Sequence, residues 1–91
     1  EVIPENFNLE QNYPNPFNPV TKFRYELAKD VNVKIKIYDM NGRLVDTPVN
    51  EFKKAGSYSV TFNGSNLSSG IYFYNIETEN FSQTRKMILI K

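Results

Sequence analysis

From Lys22 onward the chain alternates polar and apolar residues with a period of two, segment after segment. Lys22-Phe23-Arg24-Tyr25-Glu26-Leu27, Val33-Lys34-Ile35-Lys36-Ile37-Tyr38 and Ser57-Tyr58-Ser59-Val60-Thr61-Phe62 each send successive side chains to opposite faces, as half-buried strands do. No segment offers a helical stripe. Asn41-Gly42 predicts a hairpin of type I′, with both residues at positive φ, and Arg43-Leu44-Val45 as the returning strand. Pro48 limits the segment that runs on to Lys54 to an edge strand or loop. Ala55-Gly56 opens the next strand, and "NGSNLSSG" from Asn63 to Gly70 is turn chemistry with Leu67 tucked beneath it. Ile71 to Thr78 and Phe81 to Lys91 complete the set, with a turn near Glu79-Asn80. About seven strands at this spacing predict an all-β, immunoglobulin-like antiparallel sandwich. Its inward set is Phe23, Tyr25, Leu27, Val33, Ile35, Ile37, Tyr58, Val60, Phe62, Tyr72, Tyr74 and Ile76. Both faces of Ile71–Ile76 are apolar, so periodicity leaves that strand's orientation open.

Ahead of the first strand lies Tyr13-Pro14-Asn15-Pro16-Phe17-Asn18-Pro19. Its prolines fix φ and remove donors, so it cannot sit inside a sheet. It reads as a shaped lead into the strand from Thr21, packed by Phe17.

Ninety-one residues make one domain with one core and no second lobe to form a cleft. There is no Cys and no His, which removes disulfides, the commonest general base and the commonest metal ligand. The carboxylates are scattered, and Ser68-Ser69 lack a partner base. Asp39-Met40-Asn41-Gly42 resembles part of a calcium loop, but its Gly comes too early and no bidentate Glu follows. The expectation is no catalytic residue, no metal and no cofactor. A net charge of +1 gives no polyanion footprint. Lys22, Arg24, Lys34 and Lys36, with Tyr38 nearby, offer a basic stripe, read here as solvent faces that guard strand edges rather than a nucleic-acid groove. No apolar run approaches the length of a membrane span. "EVIPENF" is not a signal peptide, and the missing Met suggests a piece of something longer.

Arg85-Lys86-Met87-Ile88-Leu89-Ile90-Lys91 holds four apolar residues between basic ones. Such a strand is either buried on both sides, the reading favoured by physics alone, or exposed for a partner that adds a strand to its edge. An open edge of this kind is also a route to a dimer through the terminal strand.

Three blocks, "NYPNPFNP", "IKIYDMNGRLV" and "SNLSSGIYFYNIETENFSQTRKMILIK", closely resemble the C-terminal sorting domain of type IX secretion, type A, the Por secretion tail family of Bacteroidota and related bacteria. The similarity runs from about Phe7 to Lys91, leaving residues 1–6 as the end of a linker from an upstream passenger. The resemblance implies an immunoglobulin-like sandwich that is not catalytic. It implies a route through the periplasm, passage of the passenger across the outer membrane by the translocon, and removal of the tail by a sortase-like protease at the surface, with release or surface attachment. By position it singles out Pro14, Asn15, Pro16, Phe17, Asp39, Gly42, Arg43, Gly70, Ile71 and Tyr72, in mainly structural roles. It assigns translocon recognition to Lys86, Met87, Ile88, Leu89, Ile90 and Lys91. The flagellar hook-capping immunoglobulin-like domain is similar too, but does not need the ending "KMILIK". A competing reading is an adhesive module of an extracellular enzyme, touching glycan through Tyr13, Phe17, Tyr72 or Tyr74.

Overall fold

The alternating segments become strands in a computed structural model that describes residues 2–91. They are β1 (Asn8–Leu9), β2 (Val20–Leu27), β3 (Val31–Tyr38), β4 (Leu44–Lys53), β5 (Gly56–Asn63), β6 (Gly70–Glu77) and β7 (Ser82–Leu89), with no helix among the described residues. They form two antiparallel sheets, β1-β2-β5 and β4-β3-β6-β7. The fourth strand therefore stays beside the third, where the constant-type immunoglobulin order would place it beside the fifth.

Two local details differ from expectation or refine it. The β3–β4 hairpin is not a type I′ turn: within its loop Gly42 alone has positive φ, at 84°. The N–H of Gly42 donates to the Asp39 carbonyl (3.0 Å) and the N–H of Asp39 to the Arg43 carbonyl (2.9 Å), the three-residue loop that ends in a left-handed glycine. The reason is Asp39. Its Oδ1 accepts from the N–H groups of Asn41 (2.9 Å) and Arg43 (3.0 Å), an Asx turn that holds Asn41 out of the left-handed region. Around Pro48, β4 is an edge strand. Ile35 faces Val49 and Ile37 faces Asp46, so β4 carries an extra residue there, a bulge that accommodates the proline's missing donor.

The core lies between the sheets. It contains the expected set except Tyr58, which is half-buried at the margin, stacked on Tyr25 at 5.4 Å with Lys53 Nζ 4.6 Å above its ring. Phe17 is buried as expected, and the core members outside the expected inward set are Leu9, Val31, Val49, Met87 and Leu89. On β6 the open question resolves: Tyr72, Tyr74 and Ile76 point inward, leaving Ile71 and Phe73 outward. Phe23 of one sheet stacks on Tyr74 of the other with ring centroids 4.3 Å apart. Leu67 packs under its loop as expected. The basic stripe is not continuous, because Lys22 and Arg24 lie on β2 and Lys34 and Lys36 on β3, in different sheets.

Candidate functional site: the seam between the proline segment and the last strand

Because successive strands alternate in direction, loops 14–19, 39–43 and 64–69 and residues 90–91 all lie at one end of the sandwich. The motif residues far apart in sequence therefore meet there.

The proline segment is pinned from within. Asn12 is buried. Its Nδ2 donates to Thr21 Oγ1 (3.0 Å) and the Pro14 carbonyl (3.2 Å), while its Oδ1 accepts from Gln11 Nε2 (2.7 Å). Thr21 Oγ1 also donates to the Pro14 carbonyl at 2.8 Å. Tyr13 pairs with Lys22 on β2, and Tyr13-Pro14, Asn15-Pro16 and Asn18-Pro19 are cis. Between Tyr13 and Phe17 the chain crosses from the first sheet to the second, and it returns to the first at Val20. Phe17 forms a parallel bridge to β7 and buries its ring within 6.2 Å of Phe62. Gly64 is needed beside it: a Cβ there would stand 3.1 Å from Leu89 Cδ2 and 3.4 Å from Phe17 Cε2.

The last strand is divided by its pleat. Met87 and Leu89 are buried, Ile88 is half-buried, and Lys86, Ile90 and Lys91 are exposed. Its outer edge is occupied. The N–H of Phe17 donates to the Ile88 carbonyl (2.8 Å), and the N–H of Ile90 donates to the Phe17 carbonyl (3.0 Å). The N–H of Ile88 donates to Asn15 Oδ1 (3.0 Å), and Gln11 Nε2 donates to the Lys86 carbonyl (2.7 Å). Further up the strand, Arg85 Nε donates to the Leu9 carbonyl at 2.6 Å. Lys91 is tied to the neighbouring loop, its N–H on Ser69 Oγ (3.0 Å) and its Nζ on the Ser65 carbonyl.

The other motif residues support the same end. Arg43 Nε donates to Asp39 Oδ2 at 3.1 Å, and the backbone N–H of Arg43, chiefly, holds the Asp39 carboxyl below its usual range. Gly70 opens β6 opposite Leu89, Ile71 faces Ile88, and the Tyr72 hydroxyl donates to the Ser68 carbonyl at 2.7 Å. These contacts stabilise a surface. Nothing at this end joins a nucleophile to a base, and no cluster of metal-ligating residues occurs among the described residues.

Residues 11–91 match the secretion system C-terminal sorting domain of the Por secretion tail type. The chain belongs to that family. Such domains are the C-terminal sorting signals of type IX secretion, and they act together with the secretion machinery in export across the outer membrane to the surface or medium. The sorting domain is also similar in fold to part of PorZ of Porphyromonas gingivalis, described as an essential bacterial surface component of the type IX secretion system. The TM-score is 0.61 at 19% identity, over 96% of this chain and 12% of that one. The sorting domain thus spans a small part of PorZ's length. Comparison with curated protein sequences gives no match.

The glycan reading loses its residues: Phe17, Tyr72 and Tyr74 are buried in the core of the sorting domain, and only Tyr13 is exposed, at 81%. Reading the sequence also missed Gln11, Asn12, Thr21 and Gly64, which build the seam. The first three are polar residues flanking the prolines and Gly64 is one of several turn residues in its own loop, so none stands out from loop composition.

Proposed function

We propose that the chain is the address label of a passenger protein, carried through the periplasm and then through the outer-membrane translocon, and removed or surface-anchored by a sortase-like protease. The single observation that supports this best is the family match across residues 11–91, whose first and last motifs are the two that the seam joins. Residues 1–6 are read as the end of the linker from that passenger; Glu1 lies outside the described residues. Phe7 is the first residue packed on the domain, stacked on Phe81 at 5.5 Å.

Within Lys86–Lys91 we assign separate roles. Met87 and Leu89 anchor the strand, and Lys86, Ile88, Ile90 and Lys91 are offered to the machinery. Strand addition at this edge, by the translocon or by a second copy, would first have to displace Asn15 and Phe17. Recognition through exposed side chains needs no such step.

The test is a fusion of residues 1–91 behind an export signal and a fluorescent passenger, in a host with this pathway. The passenger is expected at the surface or in the medium; retention in the periplasm removes the reading. Deleting Met87 to Lys91 would also remove two core residues. The sharper variant is Ile90→Ser with Lys91→Glu, expected to block export while the melting temperature stays near that of the parent. Undiminished export by that variant would remove the recognition role of the segment's end.

A further inference from the structure

The outer faces of the two sheets are chemically unlike. On the first sheet β2 presents Lys22, Arg24 and Glu26 and β5 presents Ser57, Ser59, Thr61 and Asn63, with Val20 at the start of β2 the one apolar residue among them. The four-stranded sheet carries an apolar band instead. Leu44 lies opposite Tyr38, Tyr38 opposite Phe73, and Ile71 opposite Ile88. Directly opposed antiparallel residues share a face with Cβ atoms about 4.5–5.5 Å apart, so these pairs adjoin across four strands. Leu44 is 55% exposed and the others are half-buried; no element of the described chain covers them. This explains why β6 reads as apolar on both faces: Tyr72, Tyr74 and Ile76 serve the core, while Ile71 and Phe73 serve no contact inside the molecule comparable to theirs.

The band has a charge of one sign beside it. Lys86 faces Phe73 from β7, and Lys36 lies two residues from Tyr38 on the same face of β3. Lys34 has Glu77 as its cross-strand neighbour, without an ion pair between them. Among the described residues neither Lys36 nor Lys86 pairs with a carboxylate.

We propose that this face, Tyr38, Leu44, Ile71, Phe73 and Ile88 with Lys36 and Lys86, is the surface by which the sorting domain docks on a protein of the export machinery that presents a flat apolar patch rimmed by carboxylates. The proposal rests on the sorting reading and deepens it: the last strand contributes Lys86 and Ile88 to a face spanning four strands, rather than acting as a linear tag. Charge complementarity selects this occupant. A second copy would set the uncompensated ammonium groups of two faces against each other, which is unfavourable. The half-buried side chains are level with the sheet, which suits a flat protein partner rather than insertion among lipids.

The test compares fusions of residues 1–91 to an exported fluorescent passenger. The parent fusion must first be secreted; if it is not, the sorting reading itself fails and the docking face is not the cause. Given secretion, Lys36→Glu with Lys86→Glu, and separately Phe73→Thr with Ile88→Thr, are expected to cut the secreted passenger by roughly tenfold or more. Lys22→Glu with Thr61→Glu on the opposite face should leave it unchanged. Melting temperatures of the purified chains separate misfolding from lost docking, and the charge pair decides if the apolar pair lowers them. Full secretion by a folded charge-pair variant overturns the proposal. So does concentration-dependent dimerisation, or binding to phosphatidylglycerol vesicles, that the Phe73→Thr and Ile88→Thr changes abolish.

Discussion

Phe17 and Ile88, 71 positions apart, are joined by a backbone hydrogen bond of 2.8 Å, and the Phe17 carbonyl in turn accepts from Ile90 at 3.0 Å. An edge strand ordinarily exposes every second N–H to water. Here Asn15 and Phe17 take up those of Ile88 and Ile90. In hydrogen exchange both amides are expected to be protected well beyond those of Asn50 and Phe52 on the edge strand β4. Asn15→Ala should release Ile88 and leave Ile90 protected, because the latter depends on the Phe17 backbone. Equal release of both amides would mean that the side-chain cap holds the whole segment in place.

Gly64 is where the seam is tightest. Its missing Cβ leaves room for Leu89 and Phe17, both buried. Gly64→Ala is expected to cost about 1–3 kcal/mol by overpacking. The denaturant midpoint measures it, and no loss would show that the two side chains can yield. Combined with Leu89→Val the cost should be less than the sum, since the shorter side chain removes the close contact with Leu89 Cδ2.

Asn12 and Thr21 form a buried polar pair whose partners are all inside the chain, and among the described residues no buried side-chain polar atom lacks a partner. Asn12→Ala leaves the Thr21 hydroxyl and the Pro14 carbonyl short of a donor, an expected cost of about 1–3 kcal/mol. Thr21→Val should cost a similar amount, and the double variant distinctly less than the sum, because one network is lost once. Strictly additive losses in urea unfolding would sink the idea of a shared network.

The sheets were legible in the sequence because one physical signal, period-two burial, repeats in Phe23-Tyr25-Leu27 and Val33-Ile35-Ile37 without interference. It does not reach the seam. Asn12, Gly64 and Gln11 matter through partners many positions away, and a loop asparagine looks the same whether buried or solvated. Met87 and Leu89 follow the same alternation, but their neighbours Ile88 and Ile90 are apolar as well, so the sequence could not divide anchor from surface. The hairpin was placed correctly and typed wrongly: Asn-Gly permits two positive φ angles, and only the fold shows that Asp39 claims the N–H groups of Asn41 and Arg43.

That hairpin gives a graded expectation. Gly42 sits at φ +84° with nothing within 4 Å of an added Cβ, so any penalty is conformational rather than steric. Gly42→Ala should cost about 1–2 kcal/mol. Gly42→Asn should cost less, because asparagine tolerates the left-handed region. Thermal unfolding of both variants checks the order. Equal costs would point to a clash that the geometry does not contain.

Tyr25 and Tyr74 tie the stability of the fold to alkaline pH. Burial, the largest cause for each, pushes both hydroxyls up to about 12; for Tyr25 the nearby Tyr58 and Glu51 add to the rise. The unfolded value is about 10. A folded-state pKa above the unfolded one means that the folded chain holds its proton more tightly. Its contribution is complete below about pH 10 and is lost as pH rises toward 12. The urea midpoint is therefore expected to fall across that window. Tyr74→Phe provides the comparison. At neutral pH it should cost about 1 kcal/mol, through loss of the 2.7 Å hydrogen bond from its hydroxyl to the Glu10 carbonyl. Between about pH 10 and 12 its midpoint should fall less steeply than the parent's, because one buried phenol no longer has to ionise. Parallel pH profiles for parent and variant would show that Tyr74 ionises as readily in the fold as in the unfolded chain, contrary to its burial against Phe23 and beneath the N-terminal segment.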